Sequence, residues 1–333
     1  MTLHENEGIF RQAIQATSDK LQIRAVYVEK DYWVTFALKS IFGSEVGEDA
    51  VFKGGTALSK CLGIIQRFSE DLDLVMLRRD GESNSFMRTK LKKASKCIEG
   101  SMPEVEIEGV TNRKGMNRKT AHSYKKVFDG NYGQVRDVIV LESSWLGHSE
   151  PYQEATVSSL IYEMMLESEQ TDFIKRYSME PFTVRFLSPA RTICEKIMSL
   201  VRFSHGANPI KDLKMKVRHT YDLHLLLALP ELREFFSSAE FDDMLIRVGR
   251  DDARSFKNNN SWLVHHPSDS LFFKELDGKV WPEMEKEYSG VFADLVYGEL
   301  PSSDTVLLSM QMIKSRLEKV DWKVQPGEEY LGE

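Results

Sequence analysis

The sequence has few cysteines and no long apolar run. Cysteine occurs three times in 333 residues, at widely separated positions, so neither a disulfide framework nor a close metal-binding pair is expected. No apolar stretch approaches the ~20 residues that a membrane-spanning helix requires. The first dozen residues lack the basic and apolar parts of a secretory signal. We therefore expect a protein of the reducing cytoplasm, without a membrane segment.

The sequence also lacks internal repeats, zinc-type spacing of histidines and a basic balance of charge. The net charge of −7 argues against a protein whose entire surface grips nucleic acid. Basic residues are nevertheless concentrated in three stretches, 88–96, 113–126 and 202–219. Such stretches either follow a phosphate backbone or form solvated helix faces and loops, and the sequence leaves both readings open.

Hydrophobic periodicity changes along the chain and predicts an α+β fold. Helical spacing occurs early and strand-like patterns follow, whereas helices dominate from Tyr152 onward. We expect a mixed sheet with helices in residues 1–155 and a mainly helical part in residues 156–333. The predicted helices are 8–21, 26–42, 56–65, 88–98, one that begins at Ser188-Pro189, and 217–229; the predicted strands are 50–53, 71–77, 105–110, 122–128 and 137–143.

Two acids stand one residue apart in the predicted strand Asp-Leu-Asp-Leu-Val-Met-Leu. Residues i and i+2 of a strand point to the same face, so Asp71 and Asp73 project together while Leu72 and Leu74 enter the core. Two ionised carboxylates repel each other at this separation, and a divalent cation removes that cost. Mg²⁺ favours one or two protein carboxylates together with substrate phosphates. The pair therefore predicts a Mg²⁺ site, which Mn²⁺ would also suit.

A glycine pair precedes the acids by about fifteen residues. Gly54 and Gly55 lack Cβ atoms, so their backbone can turn sharply and approach a ligand closely. Successive N–H groups before a helix form an anion-binding concavity, to which Thr56 can add a hydroxyl. A phosphate cradle beside a metal clamp is what phosphoryl-type transfer requires.

These segments together resemble the AbiEii/AbiGii toxin family, a branch of the nucleotidyltransferase superfamily related to DNA polymerase β. The similar segments are VEKDYWV from Val28, FKGGTALSK with RFSEDLDL, ARTICEKIMSLVR from Ala190, and VRHTYDLHLL from Val217. They follow the order of the family and span residues 28–226. Residues beyond 230 are recognised only as mostly helical.

The resemblance implies roles for individual residues. Gly54, Gly55 and Thr56 match the glycine motif that binds the nucleotide, and Ser69 matches a serine that lines the site. Asp71 and Asp73 match the metal-binding acids, Lys196 matches a lysine that contacts the triphosphate, and Asp222 matches the acid of the last motif.

Residue chemistry alone leaves several of these roles open. Lys196 also suits a lysine whose stem covers the core edge, and Asp222 also suits an ion pair with Arg218. Glu142 is a candidate third carboxylate, although a solvent-facing strand end is equally compatible. Arg67 suits either a phosphate contact or a structural pair with Glu70 or Asp71.

The resemblance implies a toxin of a toxin–antitoxin or phage-defence system that transfers a nucleotide from an NTP and releases pyrophosphate. Its expected partners are the NTP, an acceptor such as the 3′ end of tRNA, and a cognate antitoxin protein. Two alternatives remain at this point. One is a phosphotransferase or nucleotide modifier of a protein hydroxyl, and the other is a non-catalytic module that binds RNA or a partner.

Overall fold

The computed structural model describes residues 1–69, 71–113, 115–130, 132, 135–145, 151–256 and 259–325. Its contacts define two compact units. The first contains the described residues of 1–63, 67–145 and 152–186, and the second contains those of 64–66, 151 and 187–325. The predicted boundary near residue 155 and the functional labels of the two parts stay predictions; the contact-defined units change over between Phe186 and Leu187.

The first unit is built on a seven-stranded mixed sheet. The strands are β1 Ala50–Lys53, β2 Asp71–Met76, β3 Glu104–Val105, β4 Asn117–His122, β5 Ile139–Ser144, β6 Tyr152–Val157 and β7 Phe182–Leu187, in the spatial order β3-β4-β5-β2-β1-β7-β6. β2 pairs antiparallel with β1 and parallel with β5, and β5 pairs antiparallel with β4. The acid-bearing strand β2 is therefore an interior strand, fixed on both sides.

Helices of the first unit pack beside this sheet. They are α1 Glu7–Leu21, α2 Ala25–Phe42, α3 Gly54–Ala57, α4 Asn84–Glu99, α5 Leu160–Glu167 and α6 Thr171–Arg176. A π-helical turn, Leu58–Leu62, continues α3 and ends at Gly63 in the left-handed region. Tyr27, Tyr32 and Trp33 of α2 are buried and belong to the core.

The second unit is helical. Its helices are α7 Pro189–Phe203, α8 Pro209–Lys214, α9 Val217–Ala228, α10 Pro230–Ser237, α11 Ala239–Ser255, α12 Leu271–Lys274, α13 Trp281–Glu287 and α14 Ser303–Leu317. α7 begins at the predicted Ser188-Pro189 signal, because proline at the first helical position has no amide hydrogen to satisfy. It packs against α9 and α11 through a fully buried face that includes Ile193, Ile197 and Leu200.

The predicted α+β class is confirmed, and several element predictions need correction. The strand predicted at 105–110 ends at Val105, because a hydrogen-bonded turn with Gly109 at a φ of +73° follows. The strand predicted at 122–128 is instead β4, five residues earlier and formed by a polar sequence. Strands β6 and β7 lie in the region predicted as helical, and a 3₁₀ helix, Glu45–Asp49, precedes β1. Among the described helices, none is both long and apolar enough to span a lipid bilayer.

Candidate active site

Strand β2 presents both predicted metal-binding acids on one face. Leu72 and Leu74 are buried on the opposite face, whereas Asp71 and Asp73 are half-buried. The register places Asp73 directly opposite Lys53 of β1 and Glu142 of β5. Directly opposed residues of neighbouring strands share a face of the sheet. The prediction that the two acids project together is thus met by the fold of β2.

Gly54 lies against the carboxylate of Asp73. Its φ is +80°, a conformation that side-chain-bearing residues rarely adopt, and a Cβ placed there would lie within 3.0 Å of Asp73 Oδ2. Glycine is therefore required at this position for two reasons: it adopts the positive φ, and it has no Cβ atom to collide with Asp73. The close approach brings the start of α3 to the acid-bearing strand.

Gly55 has a different neighbour. A Cβ at this position would overlap the guanidinium of Arg67, and Ser69 Oγ would lie 3.2 Å away. Arg67 is almost fully buried, and its Nη1 donates to the carbonyl of Phe68. The missing side chain of Gly55 thus gives room to a buried cation behind the glycine turn.

Thr56 connects the glycine turn to the acid strand. Its buried hydroxyl lies 2.7 Å from the carbonyl oxygen of Asp71 and 2.8 Å from Ser69 Oγ. A hydroxyl has one hydrogen to donate, and the carbonyl of Asp71 can only accept it. The geometry therefore gives Thr56 and Ser69 a structural bond to each other, beside the predicted nucleotide-binding role that stays a prediction.

Glu142 joins the two acids as a third carboxylate. Glu142 lies beside Asp73 in the sheet, which favours a third carboxylate of the cluster over a solvent-facing strand end. Both of its oxygens already have partners on β4: Asn117 Nδ2 donates to Oε1 over 2.9 Å, and Lys119 Nζ lies 3.0 Å from Oε2. Burial would raise the pKa of Glu142, but Lys119 and Asn117 outweigh it and hold that pKa below its ordinary value.

The electrostatic effect of this cluster is greatest at Asp73. Burial, followed by the nearby charges of Asp71 and Glu142, raises the pKa of Asp73 to about 7. Lys53 and Lys119 oppose this shift without cancelling it. A carboxyl group with a raised pKa in a cluster of acids is a common property of sites built to hold a cation.

Asp71 offers an oxygen that suits a metal. Its Oδ1 is buried and has no hydrogen-bond partner among the described residues, since the nearest cation, Arg136 Nη1, is 3.7 Å away. Within the described ranges, no group of three or more histidine, cysteine or acidic side chains is arranged to hold a metal ion. Two carboxylates with a vacant oxygen fit Mg²⁺, which takes its other ligands from phosphates and water.

Lys196 and Asp222 form a buried ion pair in the second unit. Lys196 Nζ lies 2.6 Å from Asp222 Oδ2, and the two side chains are 6% and 0% exposed. α7 and α9 supply these residues and pack against each other. The alternative in which Lys196 extends its ammonium into water does not fit this burial. The predicted contact with a triphosphate stays a prediction.

The structure thus brings the predicted site residues together in two groups. One group lies in the first unit and contains Gly54, Gly55, Thr56, Ser69, Asp71 and Asp73. The other is the pair in the second unit. Sequence reasoning missed Lys119 and Asn117, because their strand was predicted in the wrong place. The strand sequence Asn-Arg-Lys-Thr-Ala-His has no alternation of apolar and polar residues, so no local signal marks the two residues.

Acidic neighbours pair with much of the basic sequence. In the first two stretches Lys90 is buried against Asp49 and Glu82, and Arg118 pairs with Glu104. Further ion pairs are Lys93–Glu45, Lys96–Glu99, Arg113–Glu106, Lys119–Glu142, Lys125–Glu7 and Lys126–Asp137. These lysines and arginines therefore contribute less free positive charge than the sequence suggests.

Comparison with known proteins assigns the chain to a family. No curated protein matches the chain. A family model described as nucleotidyl transferase AbiEii toxin, type IV toxin–antitoxin system, matches residues 37–325, which include every predicted site residue. The chain therefore belongs to the AbiEii nucleotidyltransferase toxin family.

Proposed function

We propose that this toxin is a Mg²⁺-dependent enzyme that transfers a nucleotide from an NTP to a hydroxyl group of an RNA acceptor. Membership of the family implies a nucleotidyltransferase of a type IV toxin–antitoxin system, with a nucleotide substrate and an antitoxin. The observation that carries the finer proposal is the position of Asp73 against Gly54, with the vacant Oδ1 of Asp71 beside it.

Asp71 and Asp73 are the residues that would hold the metal. When bound, Mg²⁺ would neutralise the negative charge of the triphosphate and the negative charge that develops during transfer. The protein itself positions the hydrogen-bond donors that face the phosphates. The glycine turn brings backbone N–H groups to the phosphates, while the bonds of Thr56 fix that turn to β2.

Lys196 and Asp222, the buried pair of the second unit, are proposed to take part in the reaction. An ammonium ion suits a triphosphate as a compact point charge. Asp222 would then orient Lys196, or accept the proton of the acceptor hydroxyl as a general base. In the reaction, the acceptor oxygen forms a bond to the α-phosphorus, the bond to the β-phosphate oxygen breaks, and pyrophosphate leaves with that electron pair.

The 3′ end of tRNA is the proposed acceptor, and the cytoplasm is the proposed place of action in growth inhibition or phage defence. The exposed cations of α4, Arg88 and Lys92, support a contact with RNA. The extensive ion pairing of the basic stretches favours a second acceptor, a protein hydroxyl. These acceptors require the same acids and differ in the molecule that becomes labelled.

Incubation of the purified protein with each α-labelled NTP, Mg²⁺ and total tRNA tests the proposal. We expect label in tRNA, released pyrophosphate, and loss of both with Asp71→Asn. Label confined to protein would move the acceptor to a protein hydroxyl. A growth defect that persists with Asp71→Asn would identify a non-catalytic binding module and overturn the proposed reaction.

A further inference from the structure

Four neighbouring strands carry charged residues at one level of the sheet. Lys53 on β1 is opposite Asp73 on β2, Asp73 is opposite Glu142 on β5, and Glu142 is opposite Lys119 on β4. Because opposed residues share a face, the side chains form a row of charges ordered positive, negative, negative, positive. We call these four residues the charged row.

Lys119 is the outer cation of the charged row on the side of Glu142. Its ammonium lies 3.0 Å from Glu142 Oε2, while Asn117 occupies Oε1. Burial lowers the pKa of Lys119, but Glu142, together with Asp71 and Asp73, outweighs it and raises that pKa. The lysine is therefore held in its charged form by all three carboxylates.

This arrangement keeps Glu142 engaged with protein partners. A carboxylate whose two oxygens accept hydrogen bonds from a lysine and an amide must lose at least one of them to bind a metal. The same lysine adds a positive charge near Asp71 and Asp73, where a divalent cation is proposed to bind. Like charges repel, so Lys119 opposes a free cation there.

We propose that Lys119 is a built-in counter-ion that weakens the binding of free divalent cations at Asp71 and Asp73 and keeps Glu142 out of the coordination shell. The inference rests on the proposed metal site. An NTP carries negative phosphates that offset the charge of Lys119, whereas a bare cation does not. The protein would thus favour a metal that arrives with its nucleotide over the metal alone.

Removal of the Lys119 charge therefore distinguishes a counter-ion role of this lysine from a purely structural role. Lys119→Met leaves three carboxylates with less compensation, so we expect the dissociation constant for Mn²⁺ alone to fall by about threefold to tenfold. The melting temperature in EDTA should fall in the same variant, because repulsion among the acids rises. If Lys119 had only a structural role, its loss would weaken Mn²⁺ binding and lower the melting temperature together.

Isothermal titration with Mn²⁺ and thermal melting in EDTA measure the two effects on the full chain. Arg118→Met is the matched control: Arg118 is the adjacent cation on β4, points to the other face and pairs with Ser95 and Glu104. It should lower the melting temperature without tightening Mn²⁺ binding. Lys119→Arg keeps the charge and should bind Mn²⁺ as the unaltered protein does, and Lys119→Gln replaces Lys119→Met if that variant does not fold.

The outcomes separate this inference from the proposed function. If the unaltered protein binds Mn²⁺ and Asp73→Asn abolishes binding, the metal site stands. Unchanged or weaker Mn²⁺ binding by the folded neutral variant, Lys119→Met or Lys119→Gln, would then overturn the counter-ion role alone. If the unaltered protein binds no Mn²⁺ either alone or with a non-hydrolysable NTP, the metal site and the counter-ion role both fail.

Discussion

At the scale of single residues, Gly54 is the position where the backbone and the chemistry depend on each other most directly. Gly54→Ala would place a methyl group against Asp73 Oδ2 and force an unfavourable φ. We expect nucleotide transfer to fall about 10²-fold, because a displacement of about 1 Å at a reacting centre has effects of that size. Initial rates with the labelled NTP measure the loss.

Gly63→Ala separates strain from the clash at the acids. Gly63 also has a positive φ, +66°, but a Cβ there would meet nothing within 4 Å. The strain should cost about 1–2 kcal/mol of stability, while the rate of transfer at 25 °C stays close to that of the unaltered protein. Equal loss of activity in both variants would show that the contact with Asp73 is not what matters at Gly54.

Asp73 also predicts how stability changes with pH. Its pKa is raised from 3.8 to about 7 in the folded state, so folding favours the protonated form. The stability from this group is complete below about pH 4 and is lost as the pH rises through 7. In EDTA, Asp73→Asn should therefore melt several degrees above the unaltered protein at pH 8 and by a smaller margin at pH 5.

Melting curves from pH 5 to pH 8, with and without Mg²⁺, check this prediction. Mg²⁺ should raise the melting temperature of the unaltered protein at pH 8 and leave that of Asp73→Asn unchanged, because the variant lacks one proposed ligand. A difference between the two proteins that does not vary with pH would contradict the predicted role of Asp73 protonation.

At the scale of elements, the helix pair α7 and α9 depends on the buried bond between Lys196 and Asp222. Lys196→Met leaves Asp222 as a buried charge without this lysine, and loss of one partner of such a pair costs about 3–5 kcal/mol. The double variant Lys196→Met with Asp222→Leu removes both charges and should recover most of that stability. Urea denaturation measures both values.

Activity assays of the same variants distinguish support of the fold from chemistry. We expect the stabilised double variant to remain inactive, because both proposed contributions to the triphosphate and acceptor are absent. Recovery of transfer together with stability would show that the pair serves only the packing of α7 on α9.

The elements also show what the sequence could predict. β2 and α7 have strong internal patterns, an alternation of Asp and Leu and an apolar helical face, and both were placed correctly. β4 and β6 are polar and partly exposed, so nothing local distinguishes them from loops. β4 and β6 are strands because they form hydrogen bonds with neighbouring strands of the sheet. Lys119 and Asn117 were missed for this reason, whereas the strand that carries Asp71 and Asp73 is visible in the sequence.

At the scale of the whole molecule, the distribution of charge limits how the protein would bind RNA. The net charge is −7, and many cations of the basic stretches are paired with acids. We therefore expect only about three phosphate contacts, which corresponds to a slope near −2 in a plot of log K against log salt concentration. Filter binding of tRNA between 50 and 300 mM KCl measures this slope.

Charge reversal on α4 locates that contact. Arg88→Glu with Lys92→Glu reverses the charge of exposed residues on α4 and should make the slope shallower without changing Mn²⁺ binding. Lys274→Glu with Lys279→Glu makes the same change in net charge at other exposed positions and is the control. A slope steeper than −5 in the unaltered protein would contradict the limited RNA contact.

The parallel pairing of β2 with β5 has a consequence for synthesis of the toxin. Asp73 and its neighbour Glu142 are far apart along the chain, and β1, which carries the glycines to the site, also pairs with β7 at Phe186. A polypeptide emerging from the ribosome cannot complete this sheet until all these strands have left the exit tunnel. Ribosome-bound fragments that end before β5 therefore lack one of the two strands that flank β2, and their Asp73 has no Glu142 beside it.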